Sequence, residues 1–344
     1  MKIDKAALRK RVLDLADQGG KNVAAVLVAE FGISRQAANV HLARMVEARE
    51  LTADGATRSR IYRLAILEQA ARTYPKEGLS EDTVWREIAA PVVRTLPENV
   101  RDIWHYGMTE MVNNAIDHSG SLSVHAGIAR NPLHTTGWVL DEGEGIFLKI
   151  KKALGLYDPR ESILELAKGK LTTDPANHTG EGIFFSSKMF DAFDIRSGTL
   201  HFSHAPDAPD FLFERPLGAP GTLVLMRIAN NSARVAKEVF NSFAAPEEFT
   251  FDKTIVPVRL AQYEGEKLVS RSQAKRLTMR FERFRTVILD FAGVETIGQA
   301  FADEVFRVFQ ATHPDIAMLT QNTTPDVEGM IKRAIGARRI EPKD

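Results

Sequence analysis

Apolar and polar residues follow one another along the chain in patterns that predict short helices and strands. At the N-terminus the pattern predicts a helix at 1–18, a short helix, and a longer helix that begins after Ser34 as its N-cap. An alternating stretch after that helix predicts a hairpin with its turn at Asp54 and Gly55. The first part of the chain is therefore expected to contain three helices and a hairpin.

The pattern changes several times in the middle of the chain. Residues 66–106 are predicted to be helical, and "MTEMVNNAIDHS" at 108–119 continues as an amphipathic helix. Alternating runs then predict two strands before residue 145 and three more between residues 199 and 228. One helix layer over a mixed, largely antiparallel sheet is the architecture that fits this order.

From about residue 248 onward, strands and helices alternate, which predicts a small α/β domain. The whole pattern therefore predicts an α+β multidomain chain. Its predicted parts are an N-terminal unit at 1–66, a helical connector at 67–94, a helix-on-sheet domain at 95–232 and an α/β domain at 248–344.

Composition narrows the class of protein. The 344 residues are 44% hydrophobic and 26% charged, as in ordinary globular proteins, and none is cysteine, which excludes disulfides and thiolate chemistry. The N-terminal stretch mixes charges with apolar residues, and no apolar run is long enough to span a bilayer. We therefore expect a cytoplasmic protein that does not enter a membrane.

Charge is unevenly distributed although the net charge is zero. Residues 1–66 contain twelve Lys and Arg against seven Asp and Glu, a net charge of +5. A positive excess on a small unit suits a polyanionic partner. The order of helices and hairpin resembles a winged helix-turn-helix domain, and this resemblance implies DNA binding and transcription regulation. Winged helices also serve as dimerisation or docking modules, so this alternative stays open.

The winged-helix resemblance assigns candidate DNA contacts. The helix after the turn would enter the major groove with its N-terminal end, and the hairpin would meet backbone phosphates. The residues implied are Ser34, Arg35, Gln36 and Asn39 on the helix and Arg58 and Arg60 on the hairpin.

Four short motifs in the middle of the chain are weak singly but specific in order. Taken alone, the polar face of 108–119 is a solvated face, and the glycines of "DEGEGIF" and "TGEGIFFSS" are turns. Together with "PGTLVLMRI", however, the series resembles the GHKL nucleotide-binding fold, also called the Bergerat fold, over roughly residues 95–230. A Glu-x-x-x-Asn-Ala string is diagnostic of its anti-sigma kinases and chaperones, and here it runs from Glu110 to Ala115.

The GHKL resemblance implies ATP and Mg²⁺ as ligands and a role for each motif residue. Asn114 would offer an oxygen to Mg²⁺, and Glu110, one turn earlier, would orient or deprotonate an attacking water or hydroxyl. Asp141 would accept a hydrogen bond from the adenine amino group. The other implied nucleotide contacts are Gly143 and Gly145 near the base and ribose, Gly180 and Gly182 at the phosphates, and Thr222 beside the adenine.

Residues 147–179 would form the lid over the nucleotide. Lys149, Lys151 and Lys152 in this segment are expected to be a solvated charged face, with contact to phosphates as the alternative.

The segment "VILDFAGVETIGQAFADEVFRVF" resembles a STAS-like domain and, more distantly, anti-sigma factor antagonists. In true antagonists a serine in the turn is phosphorylated by the partner kinase, whereas this chain carries Thr296 there. A docking role towards a protein partner is therefore favoured over phosphotransfer.

Two classes of function follow. The first is a DNA-associated regulator whose ATP state, with slow hydrolysis, controls how the winged helix and the STAS-like domain are arranged. The alternative is a GHKL serine/threonine kinase that acts on a separate protein. A nucleotide-sensing scaffold without DNA affinity is a third hypothesis, and a homodimer is compatible with all of them.

Overall fold

The structure is a computed structural model that describes most of the chain. The described residues are 4–56, 60–171, 180–206, 208–244, 251–262 and 266–336. None of the helices in these stretches is long and apolar enough to cross a membrane.

Three helices and a hairpin form the N-terminal unit, as predicted. The helices are α1 (Lys5–Asp17), α2 (Val23–Phe31) and α3 (Arg35–Glu47), and the antiparallel strands are β1 (Leu51–Asp54) and β2 (Ile61–Leu64). Ser34 caps α3 by accepting a hydrogen bond from the Ala37 N–H (3.1 Å). The unit has its own core, in which Leu13, Leu27 and Leu42 are buried.

Two predictions near this unit need correction. Asp54 belongs to strand β1 and not to the turn, because it pairs with Ile61 in the ladder. Residues 66–106 are not all helical, since Glu68–Pro75 form strand β3. Only Tyr74 of this strand is fully buried, so β3 lacks the apolar alternation that marks a strand.

Helices resume after β3 and lead to the helix that carries the first motif. A continuous helix runs through α4 (Glu81–Val84), a π-helical stretch at Trp85–Ala89 and α5 (Ala90–Val93). Helix α6 then spans Glu98–His118 and buries Trp104 and Met108 against the sheet.

A five-stranded sheet forms the centre of the molecule. Its further strands are β4 (Ser123–Arg130), β5 (His134–Asp141), β6 (Ala192–Ala205) and β7 (Ala208–Ala229), in the order β3-β4-β5-β7-β6. Every neighbouring pair is antiparallel, so the expectation of a mixed sheet is wrong for this part. The sequence also predicts two strands where the single strand β7 runs.

Four helices complete the central part. They are α7 (Ile146–Leu154), α8 (Glu161–Lys168), α9 (Gly182–Met189) and α10 (Ala236–Phe243), of which α8 and α10 are not predicted from the sequence. Helices α6 and α9 pack together at Trp104 and Phe190, whose rings meet edge to face at 4.9 Å.

A three-stranded parallel sheet forms the C-terminal part, in agreement with the predicted α/β alternation. Its strands β8 (Lys253–Pro257), β9 (Thr286–Asp290) and β10 (Ala317–Gln321) lie in the order β10-β9-β8. The helices are α11 (Arg271–Thr278), α12 (Gln299–Asp303) and α13 (Gln310–Thr312), joined by a π-helical stretch at Glu304–Phe309, and α14 (Pro325–Gly336).

The central and C-terminal parts share one hydrophobic core, whereas the N-terminal core is separate. The tilted rings of Phe184 in α9 and Phe251 before β8 pack together with their centroids 4.7 Å apart. The N-terminal unit instead meets the central sheet through a polar contact, in which Arg227 Nη2 donates to Asp17 Oδ2 (2.8 Å). The molecule is thus a mixed α/β chain with a continuous core from the central sheet into the C-terminal part.

Candidate functional site

The residues of the four motifs meet at a single cleft with a volume of about 290 Å³. The cleft lies between α6, α7 and α9, the end of β5 and the adjoining middle part of β7. The predicted residues that line it are Glu110, Asn114, Asp141, Gly145, Gly180, Gly182 and Thr222. Residues far apart in sequence therefore converge where the motif order predicts a common site.

Helix α6 presents two polar side chains to the cleft. Glu110 and Asn114 are four residues apart, so they project from the same face of the helix. The amide nitrogen Nδ2 of Asn114 is buried and has no hydrogen-bond partner in the described part of the chain. A buried amide left unpaired costs free energy unless a ligand or water satisfies it. This side chain is therefore suited to contact a polar ligand.

The first residue of α9, Gly182, lies very close to the Glu110 side chain. A Cβ added at Gly182 would lie 1.9 Å from Glu110 Oε2, so only glycine permits this approach. The N-terminal turn of α9 lines the cleft, and free helical N–H groups there favour negatively charged ligands.

Asp141 ends β5 as a buried carboxylate. It is 5% exposed, and its Oδ1 accepts a hydrogen bond from the Gly143 N–H (2.9 Å). Burial raises the pKa of the Asp141 carboxyl, and hydrogen bonds from Gly143 and Thr222 oppose that rise. A buried carboxylate is stabilised by any ligand that donates a hydrogen bond to it.

Thr222 lies directly opposite Asp141 in the ladder between β5 and β7. Its Oγ1 accepts a hydrogen bond from the Ile146 N–H (3.0 Å), which fixes the beginning of α7 against the sheet. Gly143 does not line the cleft, but it allows the close packing of the turn that borders the cleft. A Cβ at Gly143 would lie 1.9 Å from the Ser119 carbonyl oxygen, so glycine allows the turn after β5 to pack on the end of α6.

Part of the predicted lid lies in the described chain. Residues 147–171 and 180 onward are described, and 172–179 lie outside the described residues. The Leu171 N–H donates to the Gly180 carbonyl oxygen (3.0 Å), which joins the two ends of the segment at the cleft.

The expectation for the lysines of this segment is wrong for one of them. Lys149 lines the cleft and its Nζ donates to the His118 carbonyl oxygen (2.6 Å). Lys152 is largely exposed and pairs with Glu144 (2.5 Å). Charge patterning along a helix does not distinguish the two, because their difference depends on the contact with α6.

Sequence reasoning also misses the apolar lining of the cleft. Ile146, Ile150, Leu166 and Leu171 line it together with the polar residues. Apolar residues occur throughout the chain, so no local signal separates these from ordinary core positions.

The predicted DNA contacts lie on the N-terminal unit, away from the cleft. Ser34, Arg35, Gln36 and Asn39 are exposed on the first turns of α3. Arg60 is exposed with its guanidinium 5.6 Å from the centre of the Tyr62 ring, and Arg58 lies outside the described residues. The N-terminal unit contacts the sheet at His134, the first residue of β5. Asp141 in the cleft is the last residue of the same strand, seven residues further along.

Comparison with known proteins identifies one part of the chain. Residues 273–328 match a family described as a STAS-like domain of unknown function (DUF4325). This match confirms the prediction of a C-terminal STAS-like domain, and it covers most of α11 and all of β9, α12 and β10. No curated protein matches the chain. Thr296 lies within the STAS-like domain, where it is exposed and does not line the cleft.

Proposed function

We propose that the protein is a GHKL-type, Bergerat-fold ATP-binding regulator that hydrolyses ATP slowly and associates with DNA. The observation that carries the proposal is the convergence of Glu110, Asn114, Asp141 and Gly182 on one cleft. These residues come from three separate motifs whose order resembles that family. Binding of ATP is then expected to change how the winged-helix unit and the STAS-like domain are arranged.

The cleft residues suit the two ligands. Asp141 would accept a hydrogen bond from the adenine amino group, since its carboxylate is buried and can accept more than the bonds from Gly143 and Thr222. Rotation of the Asn114 amide exchanges its oxygen and nitrogen, so the buried unpaired end of this side chain supports a ligand contact with either atom. Bound Mg²⁺, held by the Asn114 oxygen, would neutralise negative charge on the phosphates.

Glu110 is the group best suited to accept a proton. It lines the cleft one helical turn from Asn114 and lies against the first residue of α9. A carboxylate at this position can orient and deprotonate an attacking water.

The Glu110→Gln variant is expected to bind ATP as the wild type does but to release phosphate about 10²–10⁴-fold more slowly. The amide keeps the shape of the side chain but cannot accept the proton. Binding is measured by calorimetry with Mg²⁺ present, and release by a phosphate assay. Glu98→Gln, an exposed change at the first turn of the same helix, is the matched control and should leave both unchanged. Absence of ATP binding by the wild type would contradict the proposal.

The kinase alternative is favoured by one observation, the STAS-like domain at 273–328. Anti-sigma factor antagonists, which the domain resembles distantly, are substrates of GHKL kinases. Glu110 could equally accept a proton from a Ser or Thr hydroxyl. Radiolabelled ATP in the phosphate-release assay separates the two functions, because transfer to an added protein leaves a labelled band and hydrolysis does not.

DNA association is proposed for the exposed start of α3. Arg35 projects from its first turn, and the N-terminal unit carries the positive excess. Arg35→Ala is expected to weaken DNA binding and, if the contact is to phosphate, to lower the slope of log affinity against log salt by about one. The measurement is fluorescence anisotropy with duplex DNA over a salt series. Arg101→Ala, an exposed change on α6, serves as control, and equal effects of both changes would exclude α3 as the contact.

A further inference from the structure

A second cavity of about 510 Å³ lies between the central sheet and the STAS-like domain. The central part contributes Lys188 from α9 and His204 and Asp210 from the β6–β7 end of the sheet. The C-terminal part contributes Arg259, which follows β8, and Asp290 at the end of β9. Its volume falls within the range of about 300–1,000 Å³ that is usual for ligand sites.

The cavity lies where parallel sheets commonly bind ligands. Pro257, Asp290 and Gln321 are the last residues of β8, β9 and β10, and all three line it. In open α/β sheets, ligands bind outside the carboxyl ends of the strands. This position is independent of the first cleft, which is built on the antiparallel sheet.

Asp210 is a buried carboxylate with an unsatisfied oxygen. It is 6% exposed, and its Oδ1 is hydrogen-bonded to His204 Nδ1. Its Oδ2 is buried and has no hydrogen-bond partner among the residues that the structure describes. An unsatisfied carboxylate oxygen of this kind is costly, so a donor supplied by a ligand would be strongly favoured.

Neither His204 nor Lys188 donates a hydrogen bond to Asp210 Oδ2. Burial lowers the pKa of His204 and Lys188 lowers it further, whereas Asp210 opposes that fall; the His204 Nδ1 is hydrogen-bonded to Asp210 Oδ1. The Lys188 Nζ lies 3.5 Å from His204 Nε2, on the far side of the ring from Asp210. The chain from Lys188 to Asp210 therefore leaves Oδ2 without a donor, on a residue that lines the cavity.

Arg259 supplies the complementary group from the other wall. Its guanidinium stacks on the Phe211 ring at 4.6 Å, and within the described ranges it forms no hydrogen bond or ion pair. A guanidinium with free N–H groups suits a carboxylate, which it can bind with two parallel hydrogen bonds. The stacking on Phe211 holds the guanidinium plane in one orientation.

Among the described residues that line the cavity, Lys and Arg side chains are equal in number to Asp side chains. Lys188 and Arg259 are cations and Asp210 and Asp290 are carboxylates. This balance disfavours a polyanion such as a nucleotide. A bare metal ion is also disfavoured, because no cluster of three or more His, Asp or Glu side chains with metal-binding geometry occurs in the described part of the chain.

We propose that this cavity binds a small zwitterion, such as a free amino acid, with its carboxylate on Arg259 and its ammonium group on Asp210. The ligand would bridge the central sheet and the C-terminal part, because its two anchors, Asp210 and Arg259, belong to different parts. Helix α9 connects this cavity to the first cleft, since Gly182 at its start lines the cleft and Lys188 near its end lines the cavity. A bound zwitterion would therefore also stabilise the helix that begins at Gly182.

The test is a thermal-shift screen of the full chain with each proteinogenic L-amino acid, followed by calorimetry on those that raise the melting temperature. At least one amino acid is expected to bind, and acetate and methylammonium, which each carry only one of the two charges, are expected not to bind detectably. Arg259→Gln and Asp210→Asn should each weaken binding by about tenfold or more, because each removes one charged hydrogen bond. Arg101→Gln, exposed on α6, should leave it unchanged.

The two variants together distinguish a loss of ligand binding from a loss of stability. Asp210→Asn alters the contact with His204 and could lower stability, but Arg259→Gln removes only the stacking contact with Phe211 and should melt like the wild type without ligand. The proposal is wrong if no amino acid binds the wild type, or if one binds with equal affinity to both variants.

Discussion

Replacing Asp141 by asparagine is expected to weaken ATP binding about a hundredfold or more. The carboxylate is 5% exposed, and the hydrogen bonds from Gly143 (2.9 Å) and Thr222 leave it further acceptor positions for an adenine amino group. In the Asp141→Asn variant, the remaining side-chain oxygen keeps the bond from Gly143 and the new NH₂ group faces the adenine NH₂. Two buried donors without an acceptor cost about 1–3 kcal/mol, on top of the lost charged hydrogen bond.

The same substitution should change base preference, which separates it from simple unfolding. Guanine presents a carbonyl oxygen where adenine presents an amino group, so a donor at position 141 suits GTP better than the native carboxylate does. Calorimetry with ATP and GTP measures both affinities. Asp102→Asn, exposed on α6, is the matched control and should bind as the wild type does. Unchanged ATP affinity in Asp141→Asn would exclude this carboxylate as the adenine contact.

Binding should also depend on pH through this group. Burial raises the pKa of Asp141, so its protonated fraction grows as pH falls towards that raised value. The protonated carboxyl has no charge and fewer acceptor positions, so its hydrogen bond with the amino group is weaker. Affinity for ATP is therefore expected to fall on the acid side, and to fall less in Asp141→Asn.

Local patterns predict elements well where one face of the element is buried. The helices around Ser34 and the strand after it have regular apolar spacing, and the structure contains them within a few residues. The edge strand β3 is missed because most of its side chains are exposed or half-buried, and its position depends on pairing with β4. Pairing across the sheet is a long-range property, so the segment itself carries no sign of it.

The two cavities differ in how far sequence can predict them. The residues of the first cleft occur in short motifs with glycines and acids at fixed offsets, and these can be compared with a known family. The second cavity combines Lys188, Asp210 and Asp290, which are more than twenty residues apart from one another along the chain and belong to no shared motif. Only the packing of the central sheet against the STAS-like domain brings them together.

The burial of Lys168 is another feature that the sequence does not predict. Lysines are almost always exposed, yet this side chain is 0% exposed and points into the junction with the STAS-like domain. Its Nζ donates to Glu165 Oε1 (2.6 Å) and to the carbonyl oxygens of Met279 (2.8 Å) and Arg276 (3.1 Å). Burial lowers its pKa to about 8, and the charge of Glu165 opposes that fall.

Glu165 joins helix α8 to the STAS-like domain through a second cation. Arg280 Nη1 donates to Glu165 Oε2 (2.9 Å), and Nη2 donates to the carbonyl oxygens of Gly169 (3.2 Å) and Lys170 (2.5 Å). Helix α8, which contributes Leu166 to the first cleft, is therefore fixed to the domain at 273–328. If ATP binding moves the lid, the STAS-like domain is the part that should respond first.

Replacing Glu165 by glutamine should lower the free energy of unfolding by about 3–5 kcal/mol, because two buried cations then lose the carboxylate that they share. Urea denaturation measures this loss. Glu328→Gln breaks an exposed pair with Lys332 (3.5 Å) and, as the matched control, should cost about 0.5 kcal/mol or less. A loss as small as that of the control would mean that the cluster contributes little to joining the two parts.

Hydrogen exchange tests whether the same cluster carries the response to nucleotide. In the wild type, ATP with Mg²⁺ is expected to slow amide exchange in α8 and in α11 together, since Lys168 bonds directly to the carbonyl oxygens of Arg276 and Met279 at the end of α11. In Glu165→Gln, ATP should still slow exchange in α8, which borders the cleft, but no longer in α11. Equal protection of α11 in both proteins would show that the signal reaches the STAS-like domain by another route, for which the shared aromatic packing of Phe184 and Phe251 is the next candidate.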